Sequence, residues 1–162
     1  PTADIGLWDD FVILVLIGLM AIGGSSGSTA GGLKISRVII FVKSVYWRIK
    51  ELILPKDSFF QKKFEGKIID NRQIRTVNQF ILLYFLLIII GVFVLTSQGM
   101  ALKAAMFSVF SAQGNVGIQI GGISAFMPLA SKIMLILNMW IGRLEIIPLL
   151  SAIGFALSFK KS

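Results

Sequence analysis

Apolar residues run from Phe11 to Ile22, immediately after Asp9 and Asp10. By itself this run is short for a bilayer crossing, which takes about 20 residues. Gly23-Gly24-Ser25-Ser26-Gly27-Ser28-Thr29-Ala30-Gly31-Gly32 comes next, a stretch with little helical propensity. The apolar pattern resumes at Leu33 and continues through Val45, with Lys34, Arg37 and Lys43 inside it. Residues 1–46 thus predict one broken transmembrane helix, with an intramembrane small-residue loop at 23–32 between its halves. Residues 47–75 are charged and contain Pro55, which predicts a basic cytoplasmic linker with room for some helix.

Residues 76–162 repeat the theme with a different order. Phe80 to Thr96 is uncharged and rich in Leu and Ile, predicting a spanning helix over 78–97. Ala101 to Ser111 is too short to span, so 101–111 reads as a half-helix that enters the membrane and stops there, with Lys103 near its outer end. Ala112 to Gly122 is glycine-rich and poorly helical, with 112–118 as its extended core. Ser131 to Phe159 can cross again, over 131–159, with Lys160 and Lys161 closing it. Helix, re-entrant half-helix, extended segment and helix make a pore-loop unit. The fold class expected is an all-α membrane protein built on a membrane-pore-membrane repeat.

Composition supports the membrane class. Hydrophobic residues make up 56% of the chain, and the mean hydropathy is +0.85. Such a chain could hardly supply the polar surface of a soluble domain. There is no Cys and no His, which excludes disulfides, thiolate chemistry and the usual zinc or haem ligands. The formal charge of +8 raises the question of nucleic acid, but its placement points elsewhere. Lys34, Arg37, Lys43, Arg48, Lys50, Lys56, Lys62, Lys63, Lys67, Arg72 and Arg75 lie between the first two strongly apolar segments, while Asp4, Asp9 and Asp10 lie at the far end of the first. Clustered Lys and Arg beside spanning helices mark the cytoplasmic side. We read a topology signal and no nucleic-acid partner. The chain begins at Pro1 with no recognisable signal peptide, and is expected to be a fragment of a longer protein.

Two segments carry the chemistry. Gly114, Asn115, Val116, Gly117 and Ile118 could aim backbone carbonyls at one axis and replace the hydration shell of a cation. Glycine permits the angles required, and the half-helix would direct its negative dipole end at the ion. An ordinary Gly-rich turn fits the same spacing. Arg143 lies about 18 Å along its helix from Ser131, too deep for easy snorkelling. Glu145 is roughly 200° around the helix from it, so the two do not pair. An intramembrane arginine below a cation filter would act as an electrostatic barrier; a buried structural ion pair is the plainer reading. Pro148 removes a helical hydrogen bond just beyond and is compatible with a kink. Gly23–Gly32 has the Gly27–Gly32 separation of a phosphate loop but Leu33 where Lys is required, so that motif fails. A mobile constriction and a tight helix crossing both fit its small residues.

With Gly23-Gly24-Ser25-Ser26-Gly27-Ser28-Thr29-Ala30-Gly31-Gly32-Leu33-Lys34, Gly114-Asn115-Val116-Gly117 and Gly142-Arg143-Leu144-Glu145-Ile146 in order, the chain resembles the TrkH/KtrB potassium transporters. Glu145 after Arg-Leu is closer to the TrkH branch, whereas Ile118-Gln119 departs from the Pro-Gly that often succeeds this filter. Members carry four membrane-pore-membrane repeats around one pore, and this chain would hold the second helix of repeat three and all of repeat four. The resemblance implies potassium at the carbonyls of Asn115, Val116 and Gly117, with Gly117 the filter glycine. It implies a gate loop at Gly23–Gly32 and Arg143 projecting into the pore. Thr2-Ala3-Asp4 resembles the segment after the repeat-three filter. Also implied are a cytoplasmic nucleotide-binding regulatory ring facing the basic linker, a homodimeric full-length protein, and multi-pass residence in a plasma or bacterial inner membrane.

The expected function is potassium uptake through a carbonyl-lined pore, with potassium as substrate, no cofactor and no covalent catalysis. The alternative is a non-transporting membrane scaffold whose glycines serve helix packing. An enzyme ranks third, since no nucleophile–base or metal constellation is visible.

Overall fold

The computed structural model describes residues 5–25, 31–53, 62–64, 66–121 and 127–144. A single 3-10 turn, Ile5–Leu7, precedes helix α1, Asp10–Ile22. Helix α2 is Ile35–Ile53, and strands β1, Lys63–Phe64, and β2, Lys67–Ile68, form a small antiparallel hairpin. Helices α3, Asn71–Ser97, α4, Leu102–Gln113, and α5, Leu129–Leu144, complete the described chain.

The break at 23–32 separates α1 from α2, and the described parts of its neck are closely tied. The Leu33 N–H donates to the Ala21 carbonyl at 2.9 Å, and the Ile35 N–H to the Gly24 carbonyl at 3.2 Å. Helix α2 continues to Ile53, beyond the start of the expected linker, because residues 47–53 include neither glycine nor proline. Pro55 lies two residues past its end, and proline cannot continue a helix. The hairpin then docks on both flanking helices through one lysine. Lys62 Nζ sits 2.7 Å from Glu51 on α2 and donates to Asn71 Oδ1 at 2.8 Å at the start of α3. Its hydrogen bond holds the Glu51 carboxyl below the usual carboxylate range.

Helix α3 begins earlier than the apolar run that predicts it. Its first turns, Asn71 to Asn78, are polar but contain no helix breaker. At 27 residues it reaches about 40 Å, and among the described residues it is the one helix both long and apolar enough to cross a membrane. Helix α1 is apolar but only 13 residues long.

The short helix α4 is the centre of the assembly, packed against α1, α3 and α5. Ala105, Phe107, Val109 and Ala112 are buried between them. Gly91 brings α3 close to both partners at once: a Cβ there would lie 2.7 Å from Asn138 Nδ2 and 3.0 Å from Val109 Cγ1. Lys103, in the first turn of α4, pairs with Asp10 at the start of α1, so the two helices run in the same direction. Met20 and Phe107 share one apolar cluster on this seam.

Candidate functional site

Helix α4 ends in a tightly bonded turn that leads into the extended segment. Gly114 donates to the Phe110 carbonyl at 2.8 Å, Asn115 to Ala112 at 3.1 Å and Val116 to Ser111 at 2.9 Å. The last two bonds, with Asn115 left-handed at φ 53°, make a Schellman cap. Gly114 itself keeps right-handed helical angles. It is glycine for space instead, since a Cβ would stand 2.7 Å from the Met20 carbonyl of α1. Gly114 therefore belongs to the helix cap, and the extended segment starts after Asn115.

Ser111 fixes that segment from behind. Its carbonyl takes the Val116 N–H, and its Oγ accepts the Ile118 N–H at 2.9 Å. Among the described residues, no backbone N–H donates to the carbonyls of Asn115, Val116, Gly117 or Ile118. Val116, Gly117 and Ile118 are exposed and Asn115 is half-buried, so these carbonyls stand open to a partner from outside the segment. Gly117 has φ 82° and open space where a Cβ would go. Its glycine answers a backbone demand, without a steric one. Behind the segment, a cavity of about 350 Å³ is lined by Ser108, Ser111, Gly117, Lys132, Leu135 and Met139 among others.

The three glycine motifs converge here. A Cβ on Gly31 would lie 2.6 Å from Asn115 Nδ2 and 2.9 Å from the Gly114 carbonyl carbon. A Cβ on Gly142 would collide with the Gln113 carbonyl. Asn115 Nδ2 donates to the Met139 carbonyl of α5 at 3.2 Å. Arg143 comes directly after Gly142 in the last turn of α5, and its side chain is exposed.

Of the loop residues, Gly23, Gly24, Ser25, Gly31 and Gly32 are placed, with Gly23 pressed on the Gly31 carbonyl. Ser26, Gly27, Ser28, Thr29 and Ala30 lie outside the described residues, as do Glu145 and Pro148. Sequence reasoning missed Ser111, whose signal was a hydroxyl at the end of an apolar half-helix. It also missed Asn138, an amide with no exposure at all. A lone amide within an apolar helix was the signal for Asn138.

Comparison with known proteins adds an independent line. Residues 1–158 match the family model described as TrkH, cation transport protein. An uncharacterized cation transporter of Methanocaldococcus jannaschii is 34% identical over 149 residues, covering 92% of this chain and 31% of that protein. The Trk system potassium uptake protein TrkH of Salmonella typhimurium is 31% identical over 152 residues, with the same two coverages. The crystal structure of the potassium transporter TrkH from Vibrio parahaemolyticus superposes with a TM-score of 0.78 at 28% identity, over 93% of this chain and 33% of that one. The chain thus spans about a third of the length of the relatives it matches.

Proposed function

The chain belongs to the TrkH family of cation transport proteins, and from that premise we propose that it supplies one pore-loop repeat, and the inner helix of the repeat before it, to a potassium-uptake pathway. The observation that carries this reading is the row of carbonyls from Asn115 to Ile118, just past the C-terminal end of α4, that take no backbone N–H from the described residues. Carbonyls in this position replace water around a dehydrated cation. The partial negative charge at the helix end adds to the attraction. Potassium is the substrate, held at Asn115, Val116 and Gly117 by backbone oxygen.

Below the filter, Gly23–Gly32 acts as the gate loop and Arg143 as a fixed positive barrier. The closeness of Gly31 and Gly142 to the Gly114–Asn115 turn supports both placements. The basic segment between α2 and α3 faces the cytoplasm and a nucleotide-binding regulatory ring, and the full-length protein is a homodimer in the cell membrane.

The scaffold reading accounts for some glycines only. At Gly31, Gly91, Gly114 and Gly142 a Cβ would meet neighbouring atoms, which is what close helix packing requires. At Gly117 it would meet nothing. Gly117→Ser in the full-length transporter is the test, with rubidium and sodium uptake measured in proteoliposomes. A filter role predicts a lower rubidium-to-sodium ratio in folded protein. An unchanged ratio, with loss only of folded material, would return the segment to packing.

A further inference from the structure

Asn115 is the one non-glycine with a left-handed backbone among the described residues. Asparagine tolerates that conformation better than most side chains, and often a left-handed asparagine needs no further explanation. Here the side chain does more. Its amide crosses to α5 and donates to the Met139 carbonyl at 3.2 Å. In a regular helix that carbonyl already accepts from the residue four positions on, which is Arg143.

The amide also lies in a slot built by two glycines from separate segments. A Cβ on Gly31 would stand 2.6 Å from Nδ2, and a Cβ on Gly142 3.2 Å from it. One glycine comes from the neck of the intramembrane loop, the other from the inner helix. Neither is needed there for its own backbone angle, since only Gly23 and Gly32 of the described loop residues, and not Gly31 or Gly142, have positive φ. Gly31 leaves room for the amide first, and Gly142 for the Gln113 carbonyl with the amide beside it.

We propose that the Asn115 side chain is a positioning residue for ion selection, tying the first filter peptide to the turn of α5 that carries Arg143. The peptide joining Asn115 to Val116 carries the first carbonyl of the proposed filter row. Three anchors fix that peptide: the Ser111 carbonyl on the Val116 N–H, the left-handed angle at Asn115, and the amide on Met139. The first two hold the filter to its own half-helix. Only the third registers it against α5, and so against the positive charge below. The inference rests on the filter reading above and assigns the amide a part in it.

Two substitutions separate the amide from the backbone angle. Asn115→Gly accepts φ 53° and removes the side chain. Asn115→Asp keeps the shape and some left-handed tolerance, but replaces the donor with an oxygen that repels the Met139 carbonyl. Both are made in the full-length transporter, beside Gly117→Ser, and rubidium and sodium uptake are measured in proteoliposomes at matched amounts of folded protein. The expected result is a rubidium-to-sodium ratio about tenfold lower in both Asn115 variants, the scale of one well-placed hydrogen bond. Equal falls in both fluxes with the ratio kept, or a normal ratio in Asn115→Gly while Gly117→Ser loses it, overturns the positioning role and leaves the filter intact. A normal ratio in Gly117→Ser removes the filter reading, and the inference with it.

Discussion

Gly117 and Gly142 are both glycines beside the same turn, yet they are glycines for opposite reasons. Gly117 has φ 82° and empty space around its missing side chain, whereas Gly142 presses on the Gln113 carbonyl with no space at all. An alanine at 117 would meet only the strain of a left-handed angle, about 1–2 kcal/mol. An alanine at 142 must push α5 away from the backbone of α4, an overpacking cost of about 1–3 kcal/mol or more. Backbone cannot rotate out of the way as a side chain can. We therefore expect Gly142→Ala to lower the melting temperature of the full-length protein in detergent more than Gly117→Ala does; the reverse order would contradict the contact. The sequence does not distinguish these two glycines, because spacing records neither φ nor who stands opposite. Nor does it show why residue 114 is glycine, since the contact with Met20 that forbids a Cβ there comes from a helix more than ninety residues earlier.

Among the elements, those with an unbroken apolar run were legible and those defined by neighbours were not. The run from Phe80 to Thr96 announces α3, but its polar first turns, from Asn71, are helical without any apolar signal. The half-helix is legible as a segment too short to span, because no length rule beyond 1.5 Å per residue is needed. Its central position is not, since it depends on α1, α3 and α5 closing around it. The hairpin at 63–68 has only two residues per strand and depends on the Lys62 contacts to both flanking helices. In helix α5, packing has a functional consequence. Asn115 holds it at Met139 and Gly142 seats it on Gln113, so the turn bearing Arg143 has a defined place relative to the extended segment after α4. On the proposed filter reading, a charge so placed opposes a cation that has just left the carbonyls. Arg143→Ala in the full-length transporter should raise rubidium flux without altering the melting temperature; unchanged or lower flux in well-folded protein would count against the barrier.

At the scale of the molecule, one extended segment cannot do what a filter does. A dehydrated cation needs oxygens from several sides, and this chain offers one row of carbonyls with Val116 and Ile118 still 43% and 37% exposed. Large apolar side chains elsewhere are as open: Leu82 and Ile89 on α3 are 69% and 65% exposed. Four copies of the chain could be imagined to close a ring of filters, but the helices argue against it. On the proposed repeat assignment, α1 and α2 are the repeat-three counterpart of α5, and α1 already packs along α4 through Met20, Phe107 and the Asp10–Lys103 pair. A fourfold ring of identical copies would need two inner helices in every gap between filter segments, where the architecture has one. The isolated 162-residue chain, reconstituted in liposomes, should therefore give no potassium-selective flux, while the full-length protein under the same conditions does. Selective rubidium uptake by the isolated chain would mean that it assembles in a way this packing forbids, and would overturn the assignment of α1 and α2 to the neighbouring repeat.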